Sequence, residues 1–167
     1  MGNVLKYFAY GSNMSLLRLQ ARVPSAVRIG VFYLKNHQLR FHMASEDGSG
    51  KCDAHETNNE TDIVAGALYN IKESEKIFLD KAESLGFGYR EKMVTIQNST
   101  GEECEALIYC ALRINALLKP YCWYLNHVVI GAIETQIPTA YLAKIKATHS
   151  IVDLDKTREA EQRAIYK

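Results

Sequence analysis

The stretch YFAYGSNM, residues 7–14, runs an apolar, aromatic segment straight into Gly-Ser-Asn. Where a strand gives way to a turn at a helix start, backbone N–H groups are left without partners, and such groups favour anions. Gly11 lets the backbone approach a ligand closely. Gly11, Ser12 and Asn13 are therefore candidate anion-holding positions, although the same residues also read as a plain strand–helix junction with Ser12 or Asn13 as the cap. The second candidate is Glu83, within LDKAESLGFGYR at 79–90. A carboxylate near a helix C-terminus is disfavoured as an anion, and Asp80 adds a like charge one turn away. Burial would raise its pKa further, toward the range a general base needs. The competing reading is an ordinary solvated glutamate.

Other chemistries find little support. The four cysteines, Cys52, Cys104, Cys110 and Cys122, form no CxxC. Cys104 and Cys110 fall in one apparent strand, about 20 Å apart, beyond disulfide reach. MGNVLKYFAYG lacks the basic and long apolar regions of a leader peptide, so reduced thiols in a cytoplasm are expected. Lys6 stands where a myristoylation signal on Gly2 needs Ser or Thr. The histidines at 37, 42, 55, 127 and 149 make no HxH or HExxH pattern, and no metal site is expected. Ser12 lies outside a GxSxG context. Twenty basic residues oppose nineteen acidic ones for a net charge of +1, which leaves no nucleic-acid footprint. No apolar run approaches the ~20 residues of a membrane span.

The elements that must position these residues follow from hydrophobic period and turn signals. Strands are expected over 4–10, 27–34, 38–43, 63–70, 89–97 and 103–113, with 27–34 and 38–43 joined by a tight turn at Lys35–Asn36. The polar, glycine-containing run SEDGSGKCDAHETNNETD at 45–62 reads as one long loop. Helices are expected just after Asn13, over 73–85 with an apolar stripe of Ile77, Phe78, Ala82 and Leu85, over 121–135, and over 138–147. One domain over 1–150 is expected, followed by a charged tail or surface helix at 151–167. Strands that come in neighbouring groups rather than strict β-α-β alternation argue for an α+β fold with a mainly antiparallel sheet that curls into a barrel.

YFAYGSNM, LDKAESLGFGYR and PYCWYLNHVVIGAIETQIPTAYL at 120–142, in this order and spacing, resemble the three signatures of the γ-glutamylcyclotransferase (AIG2-like) family. Those are an apolar strand with YGSN, LDxxEG followed by an aromatic residue, and PSxxY followed by GA, Ile/Leu-Pro and Tyr. The resemblance implies a small β-barrel flanked by helices. It implies cyclisation of a γ-glutamyl amide or dipeptide to 5-oxoproline, with release of an amine or amino acid and with no cofactor or metal. It implies Glu83 as general acid/base, and Gly11, Ser12 and Asn13 as the cradle for the α-carboxylate end, carried on Tyr7, Phe8, Ala9 and Tyr10. Tyr89 is implied as a pocket wall and Tyr124 as a substrate contact.

Three features depart from the family pattern: Ser84 replaces Gly after the glutamate, Tyr121 replaces the Ser of PSxxY, and the long polar loop at 45–62, expected to make substrate-specific contacts, does not align with the motifs. Asn13 argues against the glutathione-specific branch, which carries a different residue there. The partner implied is a small γ-glutamyl molecule. Homodimerisation through the apolar face of the 119–134 helix stays open, as does a non-catalytic module that keeps the same pocket. A basic residue near the leaving group, for which Lys51, Arg90 and Arg113 are the candidates, would separate dipeptides from γ-glutamylamines.

Overall fold

The computed structural model describes residues 2–167. Among these residues, seven strands and five α-helices follow in the order β1 (Val4–Ala9), α1 (Leu16–Gln20), β2 (Val27–Lys35), β3 (His37–Ala44), β4 (Gly50–Glu56), β5 (Ile63–Lys72), α2 (Lys76–Ala82), β6 (Tyr89–Gln97), β7 (Glu103–Ala111), α3 (Cys122–Thr135), α4 (Thr139–Lys146) and α5 (Lys156–Arg163). Five strands close a barrel in the order β1-β5-β2-β6-β7, and β3 and β4 form a separate two-stranded ribbon. Every pairing in the barrel is antiparallel except β1 with β7, which pair in parallel at Tyr7 and Leu107. Closure removes the unpaired edges that an open sheet of this size would present.

The strand ends that meet the site are buried on both faces. In β1, Tyr7, Phe8 and Ala9 are all buried, because one face looks into the barrel and the other is covered. Phe8 therefore points away from Tyr7, and its ring fills the space above Gly66 on β5. α3 buries Trp123, Tyr124, Val128 and Ala132; a side chain the size of Val128 is worth about 1.5–3 kcal/mol when fully buried. α3 lies against the 3₁₀ turn Ser12–Met14 so closely that a Cβ on Gly131 would stand 2.3 Å from the Ser15 nitrogen.

Several expected boundaries change. The 45–62 run contains β4, whose Cys52, Asp53 and Ala54 are all buried. Polarity concealed it, because Asp53 is a buried acceptor bonded to His42 Nε2 at 2.7 Å and to the Ala111 N–H at 2.8 Å. Lys35–Asn36 does not close a hairpin: β2 pairs with β5 and β6, whereas β3 pairs with β4, and Asn36 at φ +63° diverts the chain from barrel to ribbon. Only Leu79 of α2 is buried; Ile77 and Phe78 are 67% and 53% exposed, so the expected stripe faces outward. The cap of α1 is Ser15, whose Oγ accepts from the Arg18 N–H, rather than Ser12 or Asn13. Among the described residues, no helix is long and apolar enough to cross a membrane.

Candidate active site

The turn after β1, the C-terminal end of α2 and the first turns of α3 converge on one recess. Its inner part is lined by Tyr7, Tyr10, Gly11, Ser12, Asn13, Cys52, Glu83, Tyr89, Tyr109 and Tyr124. The backbone bonds of the turn run from the Met14 N–H to Gly11 O and from the Ser15 N–H to Ser12 O. The N–H groups of Gly11, Ser12 and Asn13 precede these first donors and have no acceptor within the turn. Gly11 is needed for close approach, since a Cβ there would stand 2.8 Å from Cys52 Cβ and 3.5 Å from the Tyr124 hydroxyl. The tyrosines are fixed by backbone partners. Tyr89 donates to Cys52 O at 2.6 Å, and Tyr10 donates to Tyr109 O. Tyr124 accepts from the Cys52 N–H at 3.0 Å, and its own O–H is directed at the Cys52 side chain. Burial pushes the Cys52 thiol up to about 12, so it stays protonated and is no nucleophile at neutral pH.

Glu83 caps the C-terminus of α2. The residue is partly open to the cleft, while its carboxylate is enclosed by protein. Its Oε1 accepts from Asn13 Nδ2 at 2.9 Å. The same NH₂ group donates to the Tyr7 hydroxyl at 3.1 Å, and Asn13 Oδ1 accepts from Arg22 Nη1 at 3.0 Å. Arg22 is donor-only, so it fixes the amide orientation. Burial raises the Glu83 pKa above the ordinary carboxylate value; the charges of Arg22 and Arg18 and the Asn13 hydrogen bond pull against it. Asp80 plays no part in this. Its carboxylate is paired with Lys76 at 2.8 Å and accepts from the Tyr109 hydroxyl, so the like-charge argument from the sequence gives way to burial.

Outward from Glu83 the recess widens into a cleft of about 190 Å³, lined by three cations, Arg18 and Arg22 of the α1 region and Lys51 of β4, and floored by Met43, Ser84 and Phe87. Lys51 Nζ is bonded to Asp47 at 2.7 Å and to Ser49 at 2.8 Å, and it lies 4.5 Å from the Trp123 ring centroid. Arg18 is held from behind by the C-terminal segment. Its Nη1 donates to Gln162 Oε1 at 2.7 Å; His127 Nε2 lies 3.0 Å from the same oxygen and its Nδ1 lies 2.6 Å from the Tyr166 hydroxyl. Gln162 Oε1 can only accept, so His127 is protonated at Nε2; burial holds its pKa down to about 3.

The recess thus gathers Glu83, Tyr7, Tyr10, Gly11, Ser12, Asn13, Tyr89 and Tyr124. Phe8 and Ala9 do not line it; they belong to the core. Arg90 and Arg113 also lie outside its lining, and Tyr121 is turned to donate to Asp47 O at 2.8 Å. Arg18 and Arg22 were not singled out from the sequence. Their spacing of four, which on a continuous helix would put both on one face, was the available signal. Among the described residues, the one cluster with metal-ligand side chains is His42, Asp53 and His55. Both Asp53 oxygens there are already spent on His42 and on β7, as given above.

Residues 63–145 match the model of the AIG2-like family. The chain is 29% identical over 175 residues to bovine γ-glutamylcyclotransferase, covering 96% of this chain and 92% of that one. The chain is similar to the γ-glutamylcyclotransferase-like (AIG2-like) family. Human γ-glutamylcyclotransferase is 28% identical over 147 residues, covering 84% of this chain and 77% of its own. Among solved structures, a human protein described only as uncharacterized superposes with a TM-score of 0.88 at 26% identity, over 98% of this chain and 99% of that one. A solved γ-glutamyl cyclotransferase gives 0.86 at 23% identity over 97% and 99%, a likeness of fold. The mixed barrel with flanking helices is thus the family fold.

Proposed function

We propose that this protein is a γ-glutamylcyclotransferase acting on γ-glutamyl dipeptides, with Glu83 as general acid/base. The observation that carries this reading is the 2.9 Å hydrogen bond between Asn13 and Glu83, residues 70 apart in the chain. It brings the two motif segments into one recess, where unpaired N–H groups face a carboxylate. The γ-glutamyl α-carboxylate sits against the N–H groups of Gly11, Ser12 and Asn13, with Tyr89 as a wall. This places the α-amine beside Glu83 Oε2, the oxygen not engaged by Asn13.

Glu83 takes a proton from the α-ammonium, and the freed amine attacks the γ-carbonyl carbon. The new C–N bond closes the five-membered ring. Negative charge develops on the carbonyl oxygen, where the Tyr124 hydroxyl is a candidate donor. Collapse breaks the old C–N bond as protonated Glu83 gives its proton to the leaving nitrogen, and the ring nitrogen's second proton passes through the same carboxylate to the departing amine, leaving a neutral lactam. One carboxylate thus serves in both directions. General acid/base help of this kind is worth about 10²–10⁴-fold; holding the flexible chain in its cyclising conformation supplies more. The outer cleft, with Arg18, Arg22 and Lys51, suits a leaving amino acid that carries a carboxylate better than a plain amine.

The test is 5-oxoproline release from γ-glutamyl amino acids, a γ-glutamylamine and glutathione, with wild type and Glu83→Gln side by side. Release by wild type and a loss of at least roughly a hundredfold in Glu83→Gln is expected. Equal release by both would move the base elsewhere. Binding without release from any substrate would make the chain a γ-glutamyl-binding module.

A further inference from the structure

Arg18 is the most enclosed cation of the outer cleft, only 7% exposed. One arm of its guanidinium, Nη1, is spent on Gln162, while Nε is buried with no acceptor. Nη2 also has no hydrogen-bond partner among the described residues. A buried N–H without a partner is costly, and a ligand that supplies two oxygens relieves that cost. The Nε–Nη2 edge presents two parallel N–H groups at the spacing of a carboxylate. The other cations of the cleft are already engaged. Lys51 faces the Asp47 carboxylate, and partly buried Arg22 holds Asn13.

Resting on the function proposed above, we infer that the Nε–Nη2 edge of Arg18 receives the carboxylate of the departing amino acid, and that the C-terminal segment aims it. The aiming contact is Gln162 on α5. Its Oε1 is shared between Arg18 and His127, and Tyr166 fixes His127 from the other side while lying 2.9 Å from Ser15 Oγ, the cap of α1. Arg18 is thus a specificity-determining residue and Gln162 a positioning residue for it. A bare amine, or an amino acid amide, leaves the edge unfilled and departs from the same inner pocket with less binding.

L-γ-glutamyl-L-alanine and its C-terminal amide differ only in that carboxylate. Their 5-oxoproline release is compared for wild type, Arg18→Met, Arg18→Lys and Gln162→Ala, each checked by thermal melting. Wild type is expected to prefer the acid by roughly ten- to a hundredfold in kcat/KM. Arg18→Met brings that ratio close to one, and Arg18→Lys keeps part of it. Gln162→Ala lowers the ratio through KM for the acid, whereas a merely structural role would depress both substrates together. If Arg18→Met fails to fold, Arg18→Lys and Gln162→Ala decide. Equal use of acid and amide by wild type, or a ratio unchanged in the Arg18 variants, overturns the assignment and leaves the cyclotransferase reading standing. No release from either substrate, or from any other γ-glutamyl amide, overturns that reading and this one with it.

Discussion

Asn13 divides one amide among three partners: its NH₂ serves Glu83 and the Tyr7 hydroxyl, and its oxygen takes Arg22. The hydrogen bond to Glu83 favours the ionised carboxylate, as does the charge of Arg22, while burial favours the protonated form. With ionised Glu83 as the proposed base, activity is expected to rise on the acidic side as this group loses its proton. Removing either stabiliser of the anion raises the pKa further. Asn13→Ala and Arg22→Met are therefore both expected to move the acidic limb of the kcat/KM pH profile to higher pH. A limb that stays in place, or moves down, in both variants would show that another group controls it.

At the scale of elements, the site depends on two close backbone approaches. α3 crosses the turn Ser12–Met14 at Gly131, where a Cβ would stand 2.3 Å from Ser15 N and 2.5 Å from the Met14 carbonyl carbon. Both obstacles are backbone, so neither can rotate away. Gly131→Ala is expected to destabilise the fold by about 1–3 kcal/mol, the usual cost of overpacking, read as a lower urea midpoint. Gly11 makes the other approach, to Cys52 of β4. Gly11→Ala is expected to cost activity more than stability, because the shift falls on the N–H groups of the proposed cradle. Gly30→Ala, with open space around the added carbon, is the control and is expected to stay within about ±0.5 kcal/mol of wild type.

At the scale of the molecule, the C-terminal segment is tied to α3 by Asp153. This carboxylate is 1% exposed, covered by the side chains it binds. It accepts from Trp123 Nε1 at 2.8 Å and from Arg158 Nε and Nη2, each at 2.7 Å. The Arg158 bonds hold its pKa well below the ordinary carboxylate value. A depressed folded-state pKa contributes stability that is present above the unfolded value, about 3.9, and is lost as pH falls through the folded one. Asp153→Asn is expected to destabilise by about 1–3 kcal/mol at neutral pH, and the gap between variant and wild type should close as pH falls below about 4. A gap constant from neutral pH to acid, measured by denaturant titration, would mean that Asp153 acts through packing rather than charge. Asp153→Asn should also erode the acid-over-amide preference, since the same segment carries Gln162.

Strand and helix order was legible because burial repeats with the period of each element, so β1, β5, β6, β7, α3 and α4 stand close to where hydrophobic pattern puts them. The YGSN turn and Glu83 were legible as residue types whose chemistry suits an anion cradle and a base. β4 escaped because its buried aspartate looks like loop until His42 is known to face it. The outward face of α2 escaped because apolar spacing says which residues share a face and not what covers that face. Above all, the sequence carries no distances: that Asn13 reaches Glu83, that burial rather than Asp80 raises its pKa, and that Gln162 stands behind Arg18 are contacts across long stretches of chain. Only closure of the barrel and docking of the C-terminal segment set them, because local pattern fixes elements while long-range contact depends on how those elements pack.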